Sequence, residues 1–460
     1  MPRLITPAPT RRPPSRLRPV LLTAAIGLAL ACAGTARAQS LQALYEAARE
    51  YDAAYRSARA QADSVVFRAE QSRALRRPTL NATGAATYND SDTPYATTLN
   101  ATTNQQSIAL SAQQSLFNRA NDKTIDQAER SIEVAQAQLL QVEQDLIVRV
   151  AQAYFDVLGA VDALGTVQTS KKATAEQLAS AKRNFEVGTA TITDTREAQA
   201  KYDLVLAAEL AAENDLNLKR LALASVVGRR GIQPKRMAVP VVLPPVVPAD
   251  MEEWVTRADE ISPQLKQLRL SLDIARIEIE KAKAGHLPTV GLSASVTDAY
   301  TRLNATARTG AFSGSGPGLT SNVALQVNVP LFSGYSVENR VKETLSLEEK
   351  TASDLEAGRR SVAQNTRGAY LGVQSLIAQV KALEAAESSN KLAVEASELG
   401  YKVGVRVNID VLNAQTQLFQ TQRDLARARY DVIVNSLKLR QAAGMLSPQD
   451  VLAVDALLAK

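Results

Sequence analysis

Phe185-Glu186-Val187-Gly188-Thr189 recurs 216 residues further on as Tyr401-Lys402-Val403-Gly404-Val405. The same offset relates Ala153-Tyr154-Phe155 to Ala369-Tyr370-Leu371, Asp194 to Asp410, Ala198-Gln199 to Ala414-Gln415 and Gly228 to Gly444. A constant offset over about 75 residues leaves no room for an insertion. That is expected of long packed helices, in which one extra residue would rotate the whole buried stripe. Upstream the offset changes: Arg77-Pro78-Thr79-Leu80 matches Leu287-Pro288-Thr289-Val290 at 210, and Leu116-Phe117 matches Leu331-Phe332 at 215. The second copy thus gains five residues between those landmarks, which marks a loop-bearing region. A duplication of this size predicts one pseudo-symmetric architecture rather than separate domains.

Outward from the repeats, the first 38 residues read as an export signal. Arg3, Arg11, Arg12, Arg16 and Arg18 precede an apolar run from Val20 to Ala31, and Ala36-Arg37-Ala38 offers a cleavage site before Gln39. Cys32, the only cysteine, falls inside this segment, so cleavage after Ala38 would leave no thiol chemistry. The segment holds six of the 53 basic residues and none of the 47 acidic ones, so the remainder balances. The pI of 9.2 therefore gives no argument for nucleic acid as a partner. Beyond residue 38 no run of 18 apolar residues occurs, which excludes membrane-spanning helices and leaves a β-barrel open.

Each copy reads as helix, strand, strand, long helix, helix. The boundaries are residues 39–230 for the first copy and 250–444 for the second. A Pro-rich linker, 231–249, joins them, and a tail, 445–460, follows. Linker and tail are expected on the outside, at the waist of the long helices. Leu41 to Leu75 is Ala-rich, charged and free of Gly and Pro, and predicts one helix. Its counterpart, Asp250 to Ala284, is interrupted only at Pro263. From Asn118 to Asn184, apolar and small residues fall at Ile125, Ala128, Ile132, Ala135, Leu139, Val142 and Leu146, then at Val150, Ala153, Val157, Ala160 and Leu164. These steps of three and four make a coiled-coil seam on a rod of about 100 Å. The two shorter helices, laid end to end, would match it. Such lengths suit a tube or a fibre.

Val323, Leu325, Val327, Val329 and Leu331 alternate with small or polar neighbours. So do Val290, Leu292, Ala294 and Val296, and Ile108, Leu110 and Ala112, with a weaker segment from Leu80 to Asn89. Strands of about 10 to 13 residues with one apolar face fit a lipid-facing barrel. A half-buried sheet on helices is the other reading. Asp90–Asn104 and Tyr300–Leu319, rich in Thr, Ser, Asn and Gly, read as exposed loops. Four strands cannot enclose a lumen, and open edges are not tolerated in lipid. A membrane sheet of this size therefore requires oligomerisation, and three copies supply twelve strands.

The chain resembles the TolC family of outer-membrane channels over essentially its whole length after residue 38. The resemblance rests on Phe185–Asp194, on Tyr401–Asn413, on the Ala-Gln helices that follow them, and on the strand exits Leu116-Phe117 and Pro330-Leu331-Phe332-Ser333-Gly334. It implies an α+β membrane protein, internally duplicated. A long α-helical coiled-coil tunnel in the periplasm would carry four transmembrane β-strands per protomer, completing a 12-stranded barrel as a homotrimer in outer-membrane lipid. It further implies a passive exit duct for drugs or secreted proteins. Its partners would be a periplasmic adaptor (membrane fusion) protein and an inner-membrane pump of efflux or ABC type.

The resemblance also assigns residues. Val187, Gly188, Thr189, Val403, Gly404 and Val405 would form adaptor-docking turns at the periplasmic tip, and Gly188 and Gly404 are equally expected as helix-ending glycines. Asp410 would contribute to a carboxylate ring at the pore constriction, although helix N-capping alone accounts for an Asp there, and Asp194-Thr195-Arg196-Glu197 reads as a capping box. Asn413, one turn on, stands where the family prototype carries a second Asp. Tyr401 and Arg406, with partners Thr193 and Asp194, match the gate-holding positions; the alternative is an exposed pair of little energetic weight. No phosphate-binding loop, nucleophile elbow or zinc motif occurs, and His286 stands alone, so no enzyme activity, cofactor or metal is expected. A non-conducting trimeric envelope protein, such as an adhesin stalk, is the competing function. It would have little use for paired hairpins flanking two tip turns.

Overall fold

In a computed structural model the described residues are 39–92, 98–238, 245–307 and 310–459. The segment expected to be an export signal, with Cys32, part of the Pro-rich linker and both strand-loop tips lie outside them. The first repeat comprises α1 (Leu41–Tyr51), α2 (Ala53–Arg73), β1 (Thr79–Asp92), β2 (Thr98–Phe117), α3 (Arg119–Glu186) and α4 (Ile192–Val227). The second comprises α5 (Met251–Ile261), α6 (Pro263–Lys283), β3 (Thr289–Ala307), β4 (Gly310–Asn328), α7 (Ser336–Lys402) and α8 (Asn408–Ala442), followed by α9 (Pro448–Asp455). The long helices α3 and α7 have 68 and 67 residues, about 100 Å each. The seam expected on α3 is real: Ile125, Ala135, Leu146, Val150, Val157 and Ala160 are buried, and Ile132, Leu139, Val142, Ala153 and Leu164 are half-buried against the same cores.

The helix and strand boundaries depart from the sequence reading. The helix expected without interruption from Leu41 to Leu75 breaks at Asp52, at the position equivalent to the Ser262–Pro263 break in the second repeat. No Pro or Gly causes it. Asp52 leaves the helical region (φ −58°, ψ 121°), and its carboxylate accepts the Tyr55 N–H at 2.8 Å, capping α2. Arg149 of α3 donates to the same carboxylate at 2.9 and 3.2 Å. Burial pushes this carboxyl up, but the guanidinium and the capping N–H together hold it below the ordinary carboxylate value.

The strands are also longer than 10 to 13 residues: 14, 20, 19 and 19. Most of Asp90–Asn104 and Tyr300–Leu319 is paired strand rather than loop. Their polar composition hid this, since a ladder is satisfied by backbone groups whatever the side chains, and Thr favours strands. At the other end β4 stops at Asn328, so Val329 and Leu331 lie outside it.

The sheet is antiparallel throughout in the order β1-β2-β3-β4, which leaves β1 and β4 as edges. Its register separates the faces. One row across it is Leu80, Ala112, Ala294, Val323; the adjacent row, on the opposite face, is Asn81, Ser111, Ser295, Asn322.

The principal core sits halfway along α3. Leu146, Ile147, Val150, Ala151, Tyr154 and Phe155 pack with Leu44 and Tyr45 of α1, Leu223 of α4 and Ile433 of α8. A fully buried side chain of this size contributes roughly 1.5–3 kcal/mol. The second repeat has its own version around Val362, Tyr370, Val373, Leu439 and Trp254. Tyr154 Oη donates to the Lys235 carbonyl, and its counterpart Tyr370 Oη to the Ala249 carbonyl. Tail and linker meet at this waist. Leu446, Val451, Val454 and Leu458 join the principal core, Met237 bridges to Leu458, and Gln144 donates to the carbonyls of Gly444 and Leu446 at 3.1 and 2.9 Å. The tail therefore contributes core side chains rather than lying only on the outside.

The composite rods are joined where each short helix ends. Gly228 (φ 75°), closing α4, faces Tyr51 at the α1–α2 break, and Gly444 (φ 73°), after α8, faces Ser262 at the α5–α6 break.

Candidate functional site

The ends of the long helices furthest from the sheet carry the repeated turns. After α3, the Gly188 N–H bonds to the Phe185 carbonyl at 3.0 Å, and the N–H groups of Thr189 and Ala190 share the Asn184 carbonyl at 2.8 and 3.2 Å. After α7, Gly404 bonds to Tyr401 at 3.1 Å, and Val405 and Arg406 share the Gly400 carbonyl at 2.9 and 3.1 Å. Both turns need a left-handed residue, supplied by Gly188 (φ 78°) and Gly404 (φ 76°). Val187, Thr189, Val403 and Val405 are exposed around them, Val405 by 79%. Val407 and Ile192 are also exposed, so the tip presents apolar side chains interleaved with the exposed Glu186, Lys402 and Arg406.

Past the turns the two copies diverge. At the start of α4 the N-cap is Thr191, and Asp194 is its third-position partner. The Thr191 hydroxyl accepts the Asp194 N–H at 3.2 Å, while Asp194 accepts the Thr191 N–H at 2.9 Å and its hydroxyl at 2.8 Å. The capping box therefore opens at Thr191, not at Asp194 as the sequence suggested. In the second copy Val407 occupies the N-cap position and has no side-chain oxygen to cap with. Asp410 is the third residue of α8, so N-capping does not account for it. Its carboxylate instead meets the Arg406 guanidinium at 3.5 Å, four residues away.

The four residues assigned to gate-holding do not form one network within the chain. Arg406 pairs with Asp410, Asp194 with Thr191, and Thr193 is exposed. Tyr401 accepts a hydrogen bond from Asn184 Nδ2 at 3.1 Å, tying α7 to α3. Leu412 and Ile409 of α8 pack beside that tie against Leu178 and Ala181 of α3 and Ala198 and Tyr202 of α4. Asn413 is exposed one turn beyond Asp410.

Asn184 and Gly400 were missed by the sequence reading, although they occupy equivalent positions. A Cβ on Gly400 would lie 2.7 Å from Arg406 Cγ, so the glycine makes room for the arginine stem. In the first copy the pair is reversed, with Asn at 184 and the short Ala at 190. Comparing the two copies position by position carries that signal.

The geometry defines a class: an internally duplicated chain of very long helices, carrying a small sheet with one apolar face and open edges. The outer membrane efflux protein family model matches residues 29–229 and 254–445, and the chain belongs to that family. Outer membrane protein TolC of Vibrio cholerae is 33% identical over 448 residues, covering 96% of this chain and 98% of that one. Proteases secretion protein PrtF of Dickeya chrysanthemi is 28% identical over 449 residues, covering 96% and 95%. Among solved structures, the outer membrane protein VceC of Vibrio cholerae superposes with a TM-score of 0.74 at 20% identity, covering 88% of this chain and 96% of that one.

Proposed function

We infer that three copies of this chain form a passive exit duct across the outer membrane and periplasm. The observation that carries this is the sheet. Its apolar face suits lipid, its other face is small and polar, and its β1 and β4 edges are left open within one chain. Open edges are incompatible with hydrocarbon. Joining β4 of one copy to β1 of the next through three copies closes a barrel of twelve strands with a polar lumen. Helices of about 100 Å then extend it as a tunnel, and transport through it needs no bond chemistry.

In this reading residues 1–38 are removed on export, 39–230 and 250–444 are the two repeats, and 231–249 with 445–460 girdle the waist. The tip turns of Val187, Gly188, Thr189, Val403, Gly404 and Val405 dock a periplasmic adaptor, which links the duct to an inner-membrane pump of efflux or ABC type. Tyr401, Arg406, Thr193 and Asp194 hold the tip closed through contacts that include those between copies. Asp410 and Asn413 line the constriction, with one acidic and one amide ring. The similarity to TolC and to a proteases secretion protein supports both efflux and type I secretion as settings.

Deleting the gene tests this. Hypersensitivity to hydrophobic dyes, bile salts and antibiotics, or loss of proteins from the culture supernatant, is expected, with restoration by the wild-type copy. A deletion strain with neither change would count against the duct.

A further inference from the structure

Asn408 is the first residue of α8 and is 2% exposed, yet neither amide atom has a hydrogen-bond partner among the described residues. Both atoms are covered within a single chain. Asn408 shares a face of α8 with Leu412, four residues on, which packs against α3 and α4. Its counterpart in the first copy is Ile192, which is 49% exposed. The usual arrangement is inverted: the amide is inside and the isoleucine outside. The same copy that buries the amide also lacks the N-cap, having Val407 where the first has Thr191.

We propose that Asn408 is a release device for the tip: seating the start of α8 in the closed tip strips water from an amide that finds no partner among the described residues. The penalty is returned when the start of α8 lifts and the amide is rehydrated. The Asn184–Tyr401 hydrogen bond and the Leu412 contacts hold the tip shut, and Asn408 opposes them, keeping closed and open forms near balance. The opposition lies in one helix only, since α4 starts with a closed capping box and no buried amide. This proposal rests on the tip being the gate of the duct.

The test is Asn408→Leu, which keeps the branching and removes the polar atoms, with Asn408→Ile, the residue of the first copy, as the second variant. Two readouts are taken on purified full-length protein: amide hydrogen exchange over the first two turns of α8 in detergent, and open probability in planar bilayers. Exchange is expected to slow, and open probability to fall, by at least about fivefold, the lower end of what an unpaired buried amide is worth. A packing role for Asn408 gives the opposite sign, because a misfitted leucine loosens the closed tip. Unchanged or faster exchange in both variants overturns the proposal. Exchange reports on the tip whether or not the protein conducts, so absence of current in the wild type would remove the duct reading without touching this result.

Discussion

Gly444→Ala, compared with Gly188→Ala and Gly404→Ala, probes how the rods are joined. All three glycines have nearly the same φ, 73°, 78° and 76°, so an alanine carries the same left-handed cost, about 1–2 kcal/mol. Their surroundings differ. A Cβ at Gly188 or Gly404 meets nothing within 4 Å, whereas at Gly444 it would lie 2.6 Å from Ser262 Cα, 2.9 Å from Pro263 Cδ and 3.0 Å from Ser262 N. Those are backbone and ring atoms of the α5–α6 break, which cannot swing aside. Relieving the overlap means sliding the end of α8 away from that break, at a further cost of roughly 1–3 kcal/mol. The same shift strains the Gln144 bonds to the Gly444 and Leu446 carbonyls. Gly228→Ala falls between: its Cβ would lie 2.3 Å from Cγ of Tyr51, and relief needs the whole exposed Tyr51 side chain to change its χ1 rotamer, but no backbone shift. The assay is thermal unfolding followed by helical circular dichroism in detergent. The expected order of destabilisation is Gly444→Ala, then Gly228→Ala, then the two tip variants. A Gly444→Ala protein as stable as Gly188→Ala would refute the end-to-end joint at Ser262.

Val407→Thr supplies the missing N-cap, since Val407 already has extended geometry (φ −97°, ψ 158°) and Asp410 stands three residues on; it should stabilise the start of α8 by about 0.5–2 kcal/mol and slow its hydrogen exchange. Asp52→Asn keeps a capping residue but loses the charge partner of Arg149, and should lower the melting temperature at pH 7 by an amount worth about 1 kcal/mol. Because the folded carboxyl titrates below its ordinary value, that advantage is full above about pH 4 and fades as pH falls through the folded pKa, so wild type and variant should converge in strong acid. Arg406→Ser combined with Tyr401→Phe removes an exposed ion pair and the Asn184 tie, and is expected to raise single-channel conductance; no change would leave these residues a local stabilising role. Asn413→Asp places a second carboxylate one turn from Asp410 and should strengthen block by a trivalent cation, measured as the concentration that halves the current.

The 216-residue offset made the long helices and their turns legible, because a packed helix tolerates no insertion and writes its period into the sequence. Strand faces were legible for the same reason in period two, but only where one face is apolar. Beyond that band, Thr102, Thr103 and Asn104 pair with their neighbours like any other strand residues while looking like loop. The Asp52 break escaped because the residue that makes it is an ordinary polar one, and its partner Arg149 is 97 positions away. At the tip, the Asp194–Asp410 equivalence was visible. Their different roles were not, since they depend on Thr191 against Val407, a difference that motif matching passes over. Asn408 is invisible for a related reason: an Asn at a helix start looks unremarkable until burial shows that nothing among the described residues answers its amide.

The most direct measurement is single-channel recording of the purified full-length protein reconstituted in planar lipid bilayers. A duct closed by three copies of this sheet should give discrete current steps, with larger steps in the Arg406→Ser, Tyr401→Phe variant. Protein that inserts as folded trimers and passes no current in either form would contradict the duct and leave a non-conducting envelope structure in its place.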